Sequence, residues 1–256
     1  MSDKAKSRLM IAGAALCAAL FLFSGAMLAR EYLDQKQSAE AFAEVADLVK
    51  EDVEPPTLEL ADDSAPEPEE LTAFEKYADV YAQNSDLVGW ITVPGTRIDY
   101  PVMQTKENPN FYLKHAFDQS YSSYGVPYMQ ENCDVGISDN LVLYGHHMKN
   151  GSMFKDISRY KDQGYFDQHS EIILYTPERE IHLKALAAVC TSPDAIRRKT
   201  EFASGEEFAS YIQQMTAGAS ASAPIEGTIV RLYSFVTCSY EFNNARTILY
   251  AYEAAE

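Results

Sequence analysis

The sequence predicts a mainly-β domain, a barrel or a sandwich, carried behind N-terminal helices. Three observations lead there. Short runs of β-branched and aromatic residues recur from about residue 90 to residue 252. Between them only residues 205–219 read as a convincing helix, with Phe208, Tyr211, Ile212 and Met215 at helical spacing. Strands without regular intervening helices argue against a parallel sheet. A chain of 256 residues holds one ordinary domain plus tails.

The elements run in chain order. Residues 9–29 carry no charge and are long enough for a helix across a bilayer core of about 30 Å. Lys4, Lys6 and Arg8 precede this run, and acidic residues dominate the stretch after it. The positive-inside bias then puts a tail of residues 1–8 in the cytoplasm and the remainder outside the cell. A cleaved signal peptide is the competing reading, since Ser24-Gly25-Ala26 resembles a cleavage site. The apolar run continues past it through Met27 and Leu28, which favours an uncleaved anchor. Cys17 lies within the run as a bystander.

Residues 31–50 have a helical pattern through Phe42, Val45 and Leu48, ended by Pro55-Pro56. Residues 51–70 hold nine acidic side chains, no basic ones and four prolines, the composition of a solvated spacer. Residues 30–70 are therefore expected to tether an extracellular domain of residues 71–256. That domain opens with a helix over 71–83, its apolar stripe formed by Phe74, Tyr77, Val80 and Tyr81. Two strands joined by a Pro94-Gly95 turn come next, around Trp90–Val93 and 97–102. Further strands are expected at 140–144, 171–175, 181–190, 228–238 and 247–252, and a loop at 216–224. The net charge of −17, with no concentrated basic face, excludes a nucleic-acid partner.

An exported domain that carries Cys133, Cys190 and Cys238 has at least one thiol outside any intramolecular pair. Cys238 ends a strong β-run, and Arg246 begins the next after a loop containing Asn243-Asn244. In such a hairpin both side chains lie at one end of the sheet. A guanidinium there can favour the attacking thiolate and hold a developing oxyanion. A half-buried thiol beside a surface arginine fits the hairpin equally well.

A second strand, 140–144, runs into Gly145-His146-His147. An imidazole at a strand end suits general acid–base work. Adjacent residues of an extended chain point to opposite sides, so one histidine of the pair is expected to face Cys238 and the other to be dispensable. Zinc is disfavoured, because the pair has no third ligand at metal-site spacing. His115, after Phe111-Tyr-Leu-Lys, is a candidate groove residue, whereas His169 and His182 read as structural or surface. Cys190 ends an apolar run and reads as filler. Cys133 sits among Glu131 and Asp134, which would raise its thiol pKa.

The order Tyr144-Gly145-His146, then Thr237-Cys238, then Arg246 resembles the sortase family, specifically class B. The resemblance extends to Asn84-Ser-Asp-Leu-Val-Gly-Trp90-Ile, Tyr100-Pro-Val-Met-Gln, Asn110-Phe-Tyr-Leu-Lys-His115, Gly151-Ser-Met-Phe154 and Thr237-Cys-Ser-Tyr-Glu-Phe242, and covers about residues 71–254. It implies a closed eight-stranded β-barrel with one helix in a long loop between late strands. It implies His146 as acid/base, Cys238 as nucleophile and Arg246 as oxyanion or substrate clamp. Thr237, Ser234, Val236, Ser239 and His115 are the expected substrate-binding residues. The family's usual Thr-Leu-x-Thr-Cys stands here as Ser234-Phe235-Val236-Thr237-Cys238, which keeps the hydroxyl and the apolar side chain but alters the groove.

The implied activity is that of a membrane-anchored cysteine transpeptidase. It would cleave a C-terminal sorting motif after Thr on another exported protein and pass the acyl group to a peptidoglycan amine, without metal or organic cofactor. The setting would be a Gram-positive-type cell surface, with a single-pass anchor. Two other readings compete. A papain-like cell-wall cysteine peptidase places its histidine after the cysteine, and no His follows Cys238. A non-catalytic surface domain would use the same barrel for binding alone.

Overall fold

The computed structural model describes residues 3–49 and 73–255. The predicted acidic spacer of residues 51–70 lies outside the described residues.

Helix α1 (Asp3–Ala46) is continuous, so the expected membrane run and the helical stretch after it form one element. From Met10 onward it is long and apolar enough to cross a bilayer. Its apolar side chains there, such as Phe21 and Leu22, lie exposed. Its C-terminal part behaves differently. Val45 is buried, Phe42 meets the Tyr100 ring edge-on at 5.3 Å, and Ser123 donates a hydrogen bond to Asp34. The helix is thus docked on the β domain.

Helix α2 (Ala73–Gln83) lies beside it and buries Tyr77 and Val80. The chain then forms β1 (Leu87–Thr92), β2 (Asp99–Met103), β3 (Tyr128–Met129), β4 (Asn140–Tyr144), helix α3 (Gln163–Gln168), β5 (Glu171–Tyr175), β6 (Glu180–Thr191), helix α4 (Gly205–Thr216), β7 (Ala221–Ser222), β8 (Ile229–Cys238) and β9 (Arg246–Ala254). The strand order is β5-β1-β2-β3-β4-β8-β9-β6, and β5 pairs again with β6, which closes an eight-stranded barrel. The two-residue β7 adds to β6 outside that ring, within the stretch expected to be loop. Closure leaves no open edge along the ring. The Pro94-Gly95 turn is borne out, with Gly95 at φ +75°, a conformation that favours glycine.

Side-chain alternation sorts the strands into two faces. Leu141, Leu143, Tyr233, Phe235, Leu249 and Ala251 point into the barrel core. On the outer face, α4 packs Tyr211, Ile212 and Met215 against Leu232, Tyr250 and Tyr252. Burial on both faces explains why β8 and β9 read as almost continuous apolar runs. Ser204 caps α4 by accepting from the Glu207 amide at 3.2 Å, and the Glu207 carboxylate accepts from the Ala203 amide at 2.8 Å. A second outer patch is covered by α2 and the end of α1, which pack near Leu87, Trp90 and Met103.

Candidate active site

The three residues singled out from the sequence sit where strand ends gather. Strand β4 runs parallel to β8 and ends with Tyr144 opposite Val236. Strand β9 runs antiparallel to β8 and pairs Arg246 with Cys238. A cavity of about 390 Å³ opens on the outer face here, beyond the area that α4 covers. Val142, Tyr144, Val236, Cys238, Arg246 and Ile248 line it, all of one strand parity. Cys238 is half-buried, with access from the cavity.

His146 follows the end of β4 by two residues and is not itself among the residues that line the cavity. Its ring is tied to the cavity wall: Nε2 lies 2.8 Å from the carbonyl oxygen of Leu113, a lining residue. A carbonyl only accepts, so Nε2 carries the hydrogen and Nδ1 keeps its lone pair. Burial lowers the His146 pKa below its ordinary value, partly offset by this hydrogen bond, with Lys114 lowering it further. The resting imidazole is therefore neutral at neutral pH.

Gly145, between β4 and His146, has a packing reason to be glycine. A Cβ there would lie 2.4 Å from Cγ of Phe154, a fully buried ring. The close approach continues the ladder past β4. The Gly145 amide donates to Val236 O at 3.1 Å, and Thr237 Oγ1 donates to Gly145 O at 2.8 Å. Arg246 turns its Nη1 toward its own loop and donates to Ala245 O at 3.0 Å and Asn244 O at 3.4 Å.

Of the expected substrate-binding residues, Thr237 and Val236 line the cavity. The other three lie elsewhere. Ser234 is buried and donates to Asn140 Oδ1 at 2.9 Å. Ser239 is buried beneath the β8–β9 loop, its amide bonded to Ala245 O at 3.0 Å. His115 stacks flat on Phe111, with ring centroids 3.8 Å apart, and its Nδ1 meets Phe111 O at 2.7 Å. None of the three lines the cavity.

The opposite wall is built from residues not expected from the sequence. It comprises Asn110 and Leu113 from the loop before β3, and Ser192, Asp194, Arg197 and Arg198 from the connection after β6. Arg197 Nη1 donates to Tyr250 OH at 2.6 Å and Met215 O at 3.1 Å, while Arg198 Nε donates to Gln130 Oε1 at 2.9 Å. Tyr144 donates to the same Gln130 oxygen and stacks on Tyr128. The Arg197-Arg198 pair between two strands was the available signal.

The other thiols are poorly placed for chemistry. Cys133 is buried, and burial, more than the neighbouring Glu131, pushes its pKa up to about 11. The direction is the one expected from the sequence, but the acidic neighbour is the smaller cause. Cys190 Sγ lies 3.3 Å from a Glu241 carboxylate oxygen. All the cysteines are free.

Comparison with known proteins identifies the family and the fold. Residues 91–254 match the sortase domain family. The chain is 30% identical over 142 residues to sortase B of Listeria monocytogenes, a match covering 55% of this chain and 57% of that protein. Among solved structures, Clostridium perfringens sortase B superposes with a TM-score of 0.65 at 27% identity, covering 70% of this chain and 99% of the other. A sortase B complexed with triglycine has the same fold, with a TM-score of 0.65 at 24% identity over 71% of this chain and 86% of the other.

Proposed function

The chain belongs to the sortase family, and from that premise we propose that it is a membrane-anchored cysteine transpeptidase with Cys238 as nucleophile, His146 as proton shuttle and Arg246 as oxyanion clamp. One observation carries the reading: Cys238 and Arg246 are cross-strand partners in a single cavity, and the neutral His146 ring is bonded to that cavity's wall.

The chemistry stems from the protonation states. Cys238 Sγ attacks the carbonyl carbon of a Thr in the sorting motif of an exported protein, and an S–C bond forms. The thiol proton passes to His146 Nδ1, the nitrogen left with a lone pair. The carbonyl oxygen becomes an oxyanion, which Arg246 binds through N–H groups other than the Nη1 donors turned to its own loop. The C–N bond then breaks, and His146 returns its proton to the departing amine. A peptidoglycan amine attacks the resulting thioester, gives a proton to His146, and releases the thiol. Water in place of the amine yields hydrolysis.

The anchor fits this task. Docking of the end of α1 on the barrel holds the cavity at a set distance from a membrane crossed by the same helix. The catalytic domain would lie outside a Gram-positive-type cell, with the chain passing the membrane once.

The test is a peptide library supplied to the full chain in detergent with triglycine, the ligand named for one class B structure. Selective cleavage after Thr with transfer to triglycine is expected. The papain-like alternative predicts cleavage that survives Cys238→Ala. The binding-domain alternative predicts capture of peptide with no new bond. Either outcome overturns the proposal.

A further inference from the structure

His147 has no part in the chemistry just described, yet its ring is held at both ends. Nδ1 lies 2.7 Å from the carbonyl oxygen of Cys238, and Nε2 lies 2.6 Å from Nζ of Lys155. The carbonyl accepts, so Nδ1 donates, and Nε2 is left to accept from the ammonium. His147 is thus fixed as the Nδ1–H tautomer, opposite to that of its neighbour His146.

The place of this bond in the fold gives it meaning. The backbone ladder between β4 and β8 pairs Tyr144 with Val236 and gains one more rung at the Gly145 amide. Beyond that point the imidazole supplies the next link, in place of a backbone amide. Three bonds therefore stitch residues 145–147 to residues 236–238: Gly145 N to Val236 O, Thr237 Oγ1 to Gly145 O, and His147 Nδ1 to Cys238 O. The backbone of His147 is itself anchored. It bridges to Met153, which is buried and whose amide donates to Tyr100 OH at 3.1 Å.

We infer that His147 is a positioning residue: it holds the nucleophile's backbone against the strand end that carries His146, and Lys155 locks the tautomer able to do so. The inference rests on the transpeptidase reading for its kinetic consequences, though not for the hydrogen bond itself. Lys155, Lys161 and the edge of the Tyr240 ring surround His147, and Lys161 is paired with Glu241. Burial above all, and then this cationic side, discourages a second ring proton against the opposing pull of the Cys238 carbonyl.

The test uses the full chain in detergent and the peptide selected by the library screen, with triglycine as acceptor. His147→Ala should lower kcat by about a hundredfold with KM little changed, as expected when reacting groups lose alignment while binding persists. His147→Asn, whose amide nitrogen takes the position of Nδ1, should restore most of the loss. His147→Gln, whose nitrogen reaches toward Lys155 instead, should not. Wild-type-like turnover in His147→Ala, or equal loss in the Ala and Asn variants, overturns the inference. Should His147→Ala fail to fold, long-range 1H–15N correlation of the wild-type histidines decides: a hydrogen on Nδ1 of His147 supports the assignment and one on Nε2 alone refutes it. That spectrum reads the tautomer even if no peptide is ever turned over, so failure of this inference is separable from failure of the proposed activity.

Discussion

Cys238 and Arg246 stand directly opposite each other as the terminal pair of the β8–β9 hairpin. Direct cross-strand neighbours hold their Cβ atoms about 5 Å apart. A thiol and a guanidinium separated by a seven-residue loop thus share one cavity through strand register alone. Arg246→Lys keeps the charge but loses the planar fork. It is expected to reduce kcat/KM by about 10²–10³, the cost of losing one oxyanion donor. Steady-state kinetics on the selected peptide check this, and near wild-type values would remove Arg246 from the mechanism.

Gly145→Ala tests the join between β4 and His146. The added methyl meets the buried Phe154 ring, which cannot retreat without opening the barrel core. Overpacking of this kind costs about 1–3 kcal/mol. Denaturant unfolding should show that loss, and turnover should fall as well because the displaced backbone carries His146. Unchanged stability would mean that the ring yields freely.

Acid should weaken the fold through the histidine pair. Burial lowers the pKa of both His146 and His147 from 6.5, and for His147 the ammonium groups of Lys155 and Lys161 lower it further. The unfolded chain therefore binds protons more readily, and the stability present above pH 6.5 is lost as pH falls toward the folded-state values. Thermal melts between neutral pH and about pH 5 read this before the carboxylates titrate. His147→Asn should flatten the slope. A melting temperature that stays level across that range in the wild type contradicts the expected sign.

Much of the barrel was legible because its strands are buried on two faces. The runs around Leu141, Phe235 and Leu249 are apolar at nearly every position, and sequence bounds for β4 and β5 match the structure. Short elements escaped. Strands β3 and β7 have two residues each, too few to show a period, and α3 owes its start to Asp162 accepting from the Tyr165 amide. The site divided in the same way. Cys238, Arg246 and His146 lie at the ends of readable strands, whereas Asn110, Leu113, Arg197 and Arg198 come from loops and 3₁₀ turns that meet the cavity only after folding. Ser234 and Ser239 flank the nucleophile in sequence, but their hydroxyls are engaged inside the protein or buried with the hairpin. The second histidine, without a role in the sequence, finds one at the Cys238 carbonyl.

The most direct test is the intact mass of the full chain mixed with the selected peptide and no acceptor amine. The account predicts a thioester adduct on Cys238 with the mass of the peptide fragment ending in Thr, released by triglycine and absent in Cys238→Ala. It predicts slow adduct formation in His146→Ala and a folded protein in both variants. Transfer to triglycine that proceeds in Cys238→Ala, or an adduct mapped to Cys133 or Cys190, would contradict it.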